Sequence, residues 1–334
     1  MTASKENPAY TAYVVVGNTK YDISSATASI DISDGEKQVA KQVTIDLMNV
    51  KSGDQWLSTL IKPRSRLFLY ANDGEKNEEV FRGFVWSIGS RWGTEDRDLR
   101  MRCYDNLIYF QESEESAYFS AGKSTKDVLE SICSKWGVTL EYSYESITHS
   151  KLALRGTLTD IIMEDLLEPV RERTGTKYVL VSEKDVIKVR SYGQNTTVYK
   201  IEGSQNAISG SVTQDMDGMV TQVVILGKAD DDDRVPVEAT VSGDTGTYGT
   251  LQKLMSRDEN TTLAAAKEEA QTIINEKGKP GEVYEIEAPD IPWIRKGDKV
   301  SLNVGTISGK FIAIAIDRTI ENQQKKMTMT LEKA

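Results

Sequence analysis

Arg100 to Glu115, RMRCYDNLIYFQESEE, decides between an enzyme and a building part. Cys103, Tyr104 and Asp105 stand in a row there, followed by Tyr109, Phe110 and an acidic tail. Read as chemistry, this is a nucleophile with helpers; read as architecture, it is a strand that turns a corner. Leu99, Met101 and Cys103 recur at every second residue, the period of a half-buried strand, so Cys103 points into a core. A reactive cysteine needs exposure and a neighbour that lowers its pKa, whereas Asp105 would repel a thiolate. Asp105 and Asn106 carry short polar side chains that bond nearby backbone, which marks a structural bend. Leu107 to Phe110 then anchor the chain beyond it.

Upstream, the same two-residue period continues. Tyr10, Ala12, Val14 and Val16 alternate, then Ala28, Ile30 and Ile32, then Val43, Ile45 and Leu47. Asn72-Asp73-Gly74 is a turn former between two such runs and predicts a hairpin. Downstream the pattern changes. Ser124 with Asp127 forms an N-terminal capping pattern ahead of Val128, Leu129, Ile132, Cys133 and Trp136, a helical stripe that Gly137 ends. A second helix is predicted over about 159–173, with a kink or early stop at Pro169. After residue 195 strands return, interrupted by one helix ending at Gly278.

The expectation is a mainly β (α+β) chain. It has a β-barrel-like domain at 1–112 and a small α/β module at 113–195. A second β-barrel-like domain at 196–334 carries one helix (about 262–277) and an Asp/Gly-rich loop (229–250).

Composition narrows the function. Of 334 residues, 39% are hydrophobic and 28% charged, an ordinary globular mixture. No window approaches the apolar length of a membrane helix, and the polar start MTASKENPAYTAY lacks a secretory signal pattern. A net charge of −10 argues against a protein that coats nucleic acid. Cys103 and Cys133 both read as reduced, buried small residues, and a disulfide would need the fold to bring them together.

Motifs for chemistry are sparse. His149 is the one histidine and lies on a polar connection, so no two-histidine metal site can form. Gly305-Thr-Ile-Ser-Gly309-Lys310 falls one residue short of a phosphate-binding loop and reads as a turn. The acidic runs Asp230–Asp233 and Asp215-Met-Asp217-Gly218 lack the full spacing of a calcium loop, and a solvated loop is the simpler reading. No catalytic, cofactor or metal residue is assigned. The stretch Pro289-Asp-Ile291-Pro292-Trp293-Ile294-Arg295 is the candidate interface: a stiff loop placing Trp, Ile and Arg together. The alternative, a loop whose Trp293 folds back on its own barrel, stays open.

The segments VFRGFVWSIG (80–89) and RMRCYDNLIYFQES (100–113) resemble the central hub protein of contractile phage-tail baseplates. Its Gram-positive branch, in phages, defective prophages and tail-like bacteriocins, is the nearest likeness, and the hub is late control protein D-like. TQVVILGK (221–228), the helix-bearing stretch 250–280 and APDIPWIRKGDKV (288–300) are similar to the same family's C-terminal part. The resemblance implies a non-enzymatic homotrimer in which each chain supplies two barrel-like domains. The ring would join a sixfold tail tube to a threefold spike and meet other baseplate proteins. It would assemble in the bacterial cytoplasm and then belong to the extracellular tail particle. The residues leave a different reading standing: a tail accessory that binds or cleaves cell-wall peptidoglycan.

Overall fold

The computed structural model describes residues 7–36, 38–92, 97–228, 235–257, 261–321 and 324–334. Two compact units emerge: residues 1–211 with 285–334, and residues 212–284.

The first unit begins with the hairpin β1 (Ala9–Val16) and β2 (Thr19–Asp22), then β3 (Thr27–Asp34) and β4 (Gln42–Met48). A minimal hairpin, β5 (Lys51–Ser52) and β6 (Gln55–Trp56), leads into the turn α1 (Leu57–Leu60). Strands β7 (Arg66–Asn72), β8 (Asn77–Trp92) and β9 (Arg97–Tyr104) follow. The alternating residues do what their period demands: Ala12, Val14, Ile30, Ile32, Val43, Ile45, Leu67, Leu69, Val85, Leu99, Met101 and Cys103 all enter one core. Where β8 crosses β9, Gly83 is required, since a Cβ there would stand 2.1 Å from the Tyr104 carbonyl oxygen.

The bend at Asp105 delivers the chain to a second core within this unit. It is built by α2 (Ile108–Gln111), β10 (Glu114–Phe119), α3 (Thr125–Lys135), β11 (Thr139–Glu141) and β12 (Leu152–Thr157). A helical run follows: α4 (Leu158–Asp160), a π-helical stretch Ile161–Leu167 and α5 (Glu168–Thr174). The hairpin β13 (Tyr178–Glu183) and β14 (Val186–Ser191) completes it. Phe110, Leu129, Ile132, Ile161, Leu166 and Val170 fill the core. Ser124 caps α3 as its spacing predicts, with Ser124 Oγ accepting from Asp127 N at 3.1 Å and Asp127 Oδ2 accepting from Ser124 N at 3.2 Å. Pro169 does not stop its helix: it lies in the first turn of α5, where no N–H is needed, and the π stretch takes up the change. Trp136 departs from the predicted stripe. It sits at the C-cap of α3, 37% exposed, because its indole N–H reaches Glu115.

Strands β15 (Tyr199–Glu202) and β16 (Ser209–Asp215) then lead to the second unit. There β17 (Gln222–Leu226) lies between β18 (Val237–Ser242) and β19 (Gln252–Ser256). A helical turn, α6 (Thr245–Tyr248), precedes β19, and α7 (Leu263–Lys277) packs Ala266, Ala270 and Ile274 on Val223 and Ile225. The expected loop at 229–250 is thus part strand, since Val237, Ala239 and Val241 alternate and pair with β17. Asp230–Asp233 lie outside the described residues.

The chain returns through β20 (Gly281–Pro289), β21 (Lys299–Val304), β22 (Ile307–Glu321) and β23 (Lys325–Lys333). One sheet runs β16-β20-β23-β22-β3-β4-β9-β8-β7-β1-β2, with β21 on β22 and β15 on β21. The strands β20 to β23 near the C-terminus thus continue the same sheet as β1 to β4 and β7 to β9. Its seam is the antiparallel pairing of β22 with β3, from Ile316 opposite Asp34 to Glu321 opposite Ser29.

Candidate functional site

Residues 290–298 connect β20 to β21 and reach three parts of the first unit. Two turns shape the connection: Ile294 N donates to Ile291 O at 3.2 Å, and Asp298 N to Arg295 O at 3.0 Å. Asp298 Oδ2 also accepts from Arg295 N at 2.9 Å. Gly297, at φ +86°, makes the left-handed step that L side chains avoid.

Asp290 is the deepest group. Its Oδ1 accepts from Arg318 Nε at 2.9 Å and its Oδ2 from the Tyr10 hydroxyl at 2.5 Å. The Arg318 guanidinium donates further to the Ile294 carbonyl at 2.6 Å. The Asp290 side chain is 0% exposed and that of Arg318 5%. Burial pushes the Asp290 carboxyl above its ordinary range, against the pull of Arg318 and Tyr10, and burial also raises the Tyr10 hydroxyl. Tyr10 belongs to β1 and Arg318 to β22, so this triad ties the N-terminal and C-terminal strands of the sheet together.

The rest of the loop works the same way. Trp293 Nε1 donates to Asp73 Oδ2 at 2.6 Å, at the β7–β8 turn. Arg295 donates to Glu183 of β13. Buried Lys296 donates to the carbonyls of Gly35 at 2.8 Å and Gln38 at 2.5 Å, and its Nζ lies 3.3 Å from Asp34. Asp298 meets Arg190 of β14 at 3.0 Å. Burial raises Glu183, but Arg295, Arg190 and Lys188 together hold its carboxyl below the ordinary range.

A cavity of about 660 Å³ opens beside this junction, lined by Lys41, Glu79, Arg82, Asp105, Glu183 and Arg295 among others. Its charges face one another. Arg82 pairs with Glu79 and Asp185, Lys188 with Glu141, and Lys41 with Asp34. The Lys188–Glu141 pair links the neighbouring strands β14 and β11, and the Arg82–Asp185 pair links β8 to the β13–β14 turn. Among the described residues no cluster of His, Cys, Asp and Glu suits a metal ion.

The candidate interface residues make contacts within the chain. Ile291, Pro292 and Ile294 are buried, and Trp293 and Arg295 are half-buried against Asp73 and Glu183. Trp293 thus lies back against the β7–β8 turn of its own chain. At the bend, Asp105 Oδ1 accepts from Leu107 N at 3.0 Å and Oδ2 from Lys41 N at 3.2 Å. Burial raises the Asp105 carboxyl to about 7. Asn106 Nδ2 faces Asp185. Cys103 and Cys133 are buried, and burial pushes the Cys133 thiol up to about 12. His149 is buried, with Nε2 2.8 Å from Thr125 Oγ1, and burial lowers its pKa.

The sequence reading places Tyr10 in a strand and Lys296 in a loop without giving either a role, and it does not reach Asp34 or Arg318. Two signals existed. Arg318 stands between Ile316 and Ile320, and Asp34 follows Ile30 and Ile32, each a charge at an inward position of an apolar strand. A charge there needs a buried partner.

Known proteins are similar to this chain in sequence or in fold. XkdQ of the phage-like element PBSX of Bacillus subtilis (strain 168) is 25% identical over 258 residues, 76% of each chain. The fold matches the tail protein from Neisseria meningitidis MC58 with a TM-score of 0.70 at 14% identity, over 97% of this chain and 96% of that one. It also matches E. coli c3393, at TM-score 0.54 and 8% identity over 92% and 74% of the two chains. That protein is described as a component of the type VI secretion system with structural similarity to the T4 bacteriophage tail proteins gp27 and gp5. The fold is one used by phage-tail proteins. The profile of the YQBQ-like family matches residues 30–332, and the chain belongs to that family.

Proposed function

We propose that this chain is a structural, non-catalytic baseplate hub of a contractile tail, acting as a homotrimeric ring between the sixfold tail tube and the threefold spike. One observation carries the reading: two β lobes are joined strand to strand through β3 and β22 and stapled by the Asp290 triad. A rigid pair of lobes per chain lets three chains present six similar surfaces on one side and threefold symmetry on the other. In this reading residues 1–112 and 196–334 supply the lobes. The module at 113–195 reaches neighbouring baseplate proteins, and the chain travels with the extracellular particle. The likeness to phage-tail folds over nearly the whole chain supports it.

The test is the solution mass of the full chain by light scattering over a concentration range. One chain is 37.2 kDa, so three times that, about 112 kDa, is expected at high concentration. A mass of 37.2 kDa throughout, with clearing of a cell-wall suspension in a turbidity assay, would favour the wall-cleaving alternative.

A further inference from the structure

The bend at Asp105 leaves a strand edge bare. β9 ends at Tyr104, opposite Phe84 of β8, and the chain then turns away. Residues Asn77 to Arg82 of β8 therefore pair with β7 on one side and, among the described residues, with no strand on the other. A bulge sits in that stretch. Glu79 lies opposite Tyr70 and Phe81 opposite Leu69, so Val80 has no partner on β7 either. A second bare edge belongs to β13, which ends the order β11-β14-β13 and pairs with β14 alone.

Both edges line the cavity of about 660 Å³, Asn77 to Arg82 as one unbroken run and Leu180 to Lys184 as nearly another. Both belong to the first unit. Arg82 Nη1 donates to Asp185 Oδ2 at 3.0 Å, so the C-terminal ends of the two edges stand together. The space far exceeds the about 30 Å³ of one water and falls in the range that takes ligands. Backbone N–H and C=O groups along a bare edge call for partners of their own kind. An extended chain offers them at the right spacing, and the five steps from Asn77 to Arg82 span about 16 Å.

The side chains narrow the occupant further. Most charges on the walls are already paired: Arg82 with Glu79, Lys188 with Glu141, Arg295 with Glu183. Glu78, at the start of the β8 run, and Lys184, beside Asp185 at the far end, are exposed and have no ion pair among the described residues. Val39, Val80 and Leu180 add apolar lining.

We propose that this slot takes an extended segment of another tail protein, which adds as a strand to the bare edge of β8 and meets β13 on its other side. The segment is apolar and β-forming, with a cationic side chain at the Glu78 end and a carboxylate at the Lys184 end. The inference goes beyond the hub reading, since it needs a partner protein and no particular copy number.

The test is hydrogen exchange, read by mass spectrometry, on the purified full chain and on tail particles that contain it. Amides of residues 77–82 and 179–184 are expected to exchange at least about tenfold more slowly in the particle. Equal rates in the two preparations would overturn the proposal, as would slowing at one edge alone. Slow exchange at both edges already in the purified chain would give the slot to the chain itself and overturn the partner. The full-length variant Glu78→Lys with Lys184→Glu, its fold checked by circular dichroism, is expected to lose the slowing. Slowing that persists in this variant would overturn the assigned charge pattern. Failure of the hub reading shows separately, in the copy number of the chain in the particle. Particles that lack the chain altogether would overturn both.

Discussion

Two regions combine tryptophan with arginine, and they have opposite fates. In the 290–298 loop, Trp293 and Arg295 are bonded to Asp73 and Glu183, and the neighbouring Asp290 and Arg318 are closed to water. On the outer sheet face, Trp86 is exposed and Arg64 and Arg102 lie on aromatic rings without carboxylates. The sequences look alike in composition, so composition does not separate an internal staple from an exposed sheet face. What separates them is where the partner comes from. The loop finds its acids inside the chain; on the sheet face Arg100 pairs with Asp46, whereas Arg64 and Arg102 lie on aromatic rings with no ion pair among the described residues.

That contrast is breakable. Asp290→Ala leaves Arg318 buried and unpaired, so a loss of about 3–5 kcal/mol is expected in denaturant unfolding. A loss below about 1 kcal/mol, the range of an exposed pair, would show that the loop is no staple. Cys103→Ser is next. It places a hydroxyl in an apolar core and is expected to cost about 1–3 kcal/mol, with the solution mass unchanged. Loss of particle function by a normally folded Ser variant would reopen a chemical role for Cys103.

Asp105 gives a smaller, pH-dependent effect. Burial lifts its folded carboxyl to about 7, above the unfolded value near 4, so the folded chain holds this proton more tightly. Its contribution to stability is greatest below about pH 4, falls as pH rises toward 7 and is flat above. Asp105→Asn removes that slope, so its melting temperature relative to the unchanged chain should climb from pH 5 to pH 8. A constant difference would contradict the raised pKa. The smallest stability effect belongs to Trp86→Ala. The ring is partly exposed and packs edge-on against two tyrosines, so its loss should cost no more than about 1.5 kcal/mol. A large destabilisation would make Trp86 structural and erase the contrast with Trp293.

Local order was legible. The two-residue period put Cys103 in the core, and the Ser124–Asp127 spacing announced its capping box. The junctions were not. Tyr10 and Asp290 are 280 residues apart, and the β3–β22 seam joins the two ends of the chain. Nothing in a local pattern states such pairings, although inward Asp34 and Arg318 signal that partners exist. Val237, Ala239 and Val241 were hidden by the Asp- and Gly-rich residues around them, which read as loop although β17 supplies a strand partner. Trp136 joined the predicted stripe by spacing alone, and its N–H drew it to Glu115 at the surface.

Electron cryomicroscopy of the assembled tail bears most directly on the proposed hub. The expected density is a ring of three copies, each giving two β lobes, seated between tube and spike. A tail in which this chain occurs in any copy number other than three, or lies away from the tube–spike junction, would contradict the account.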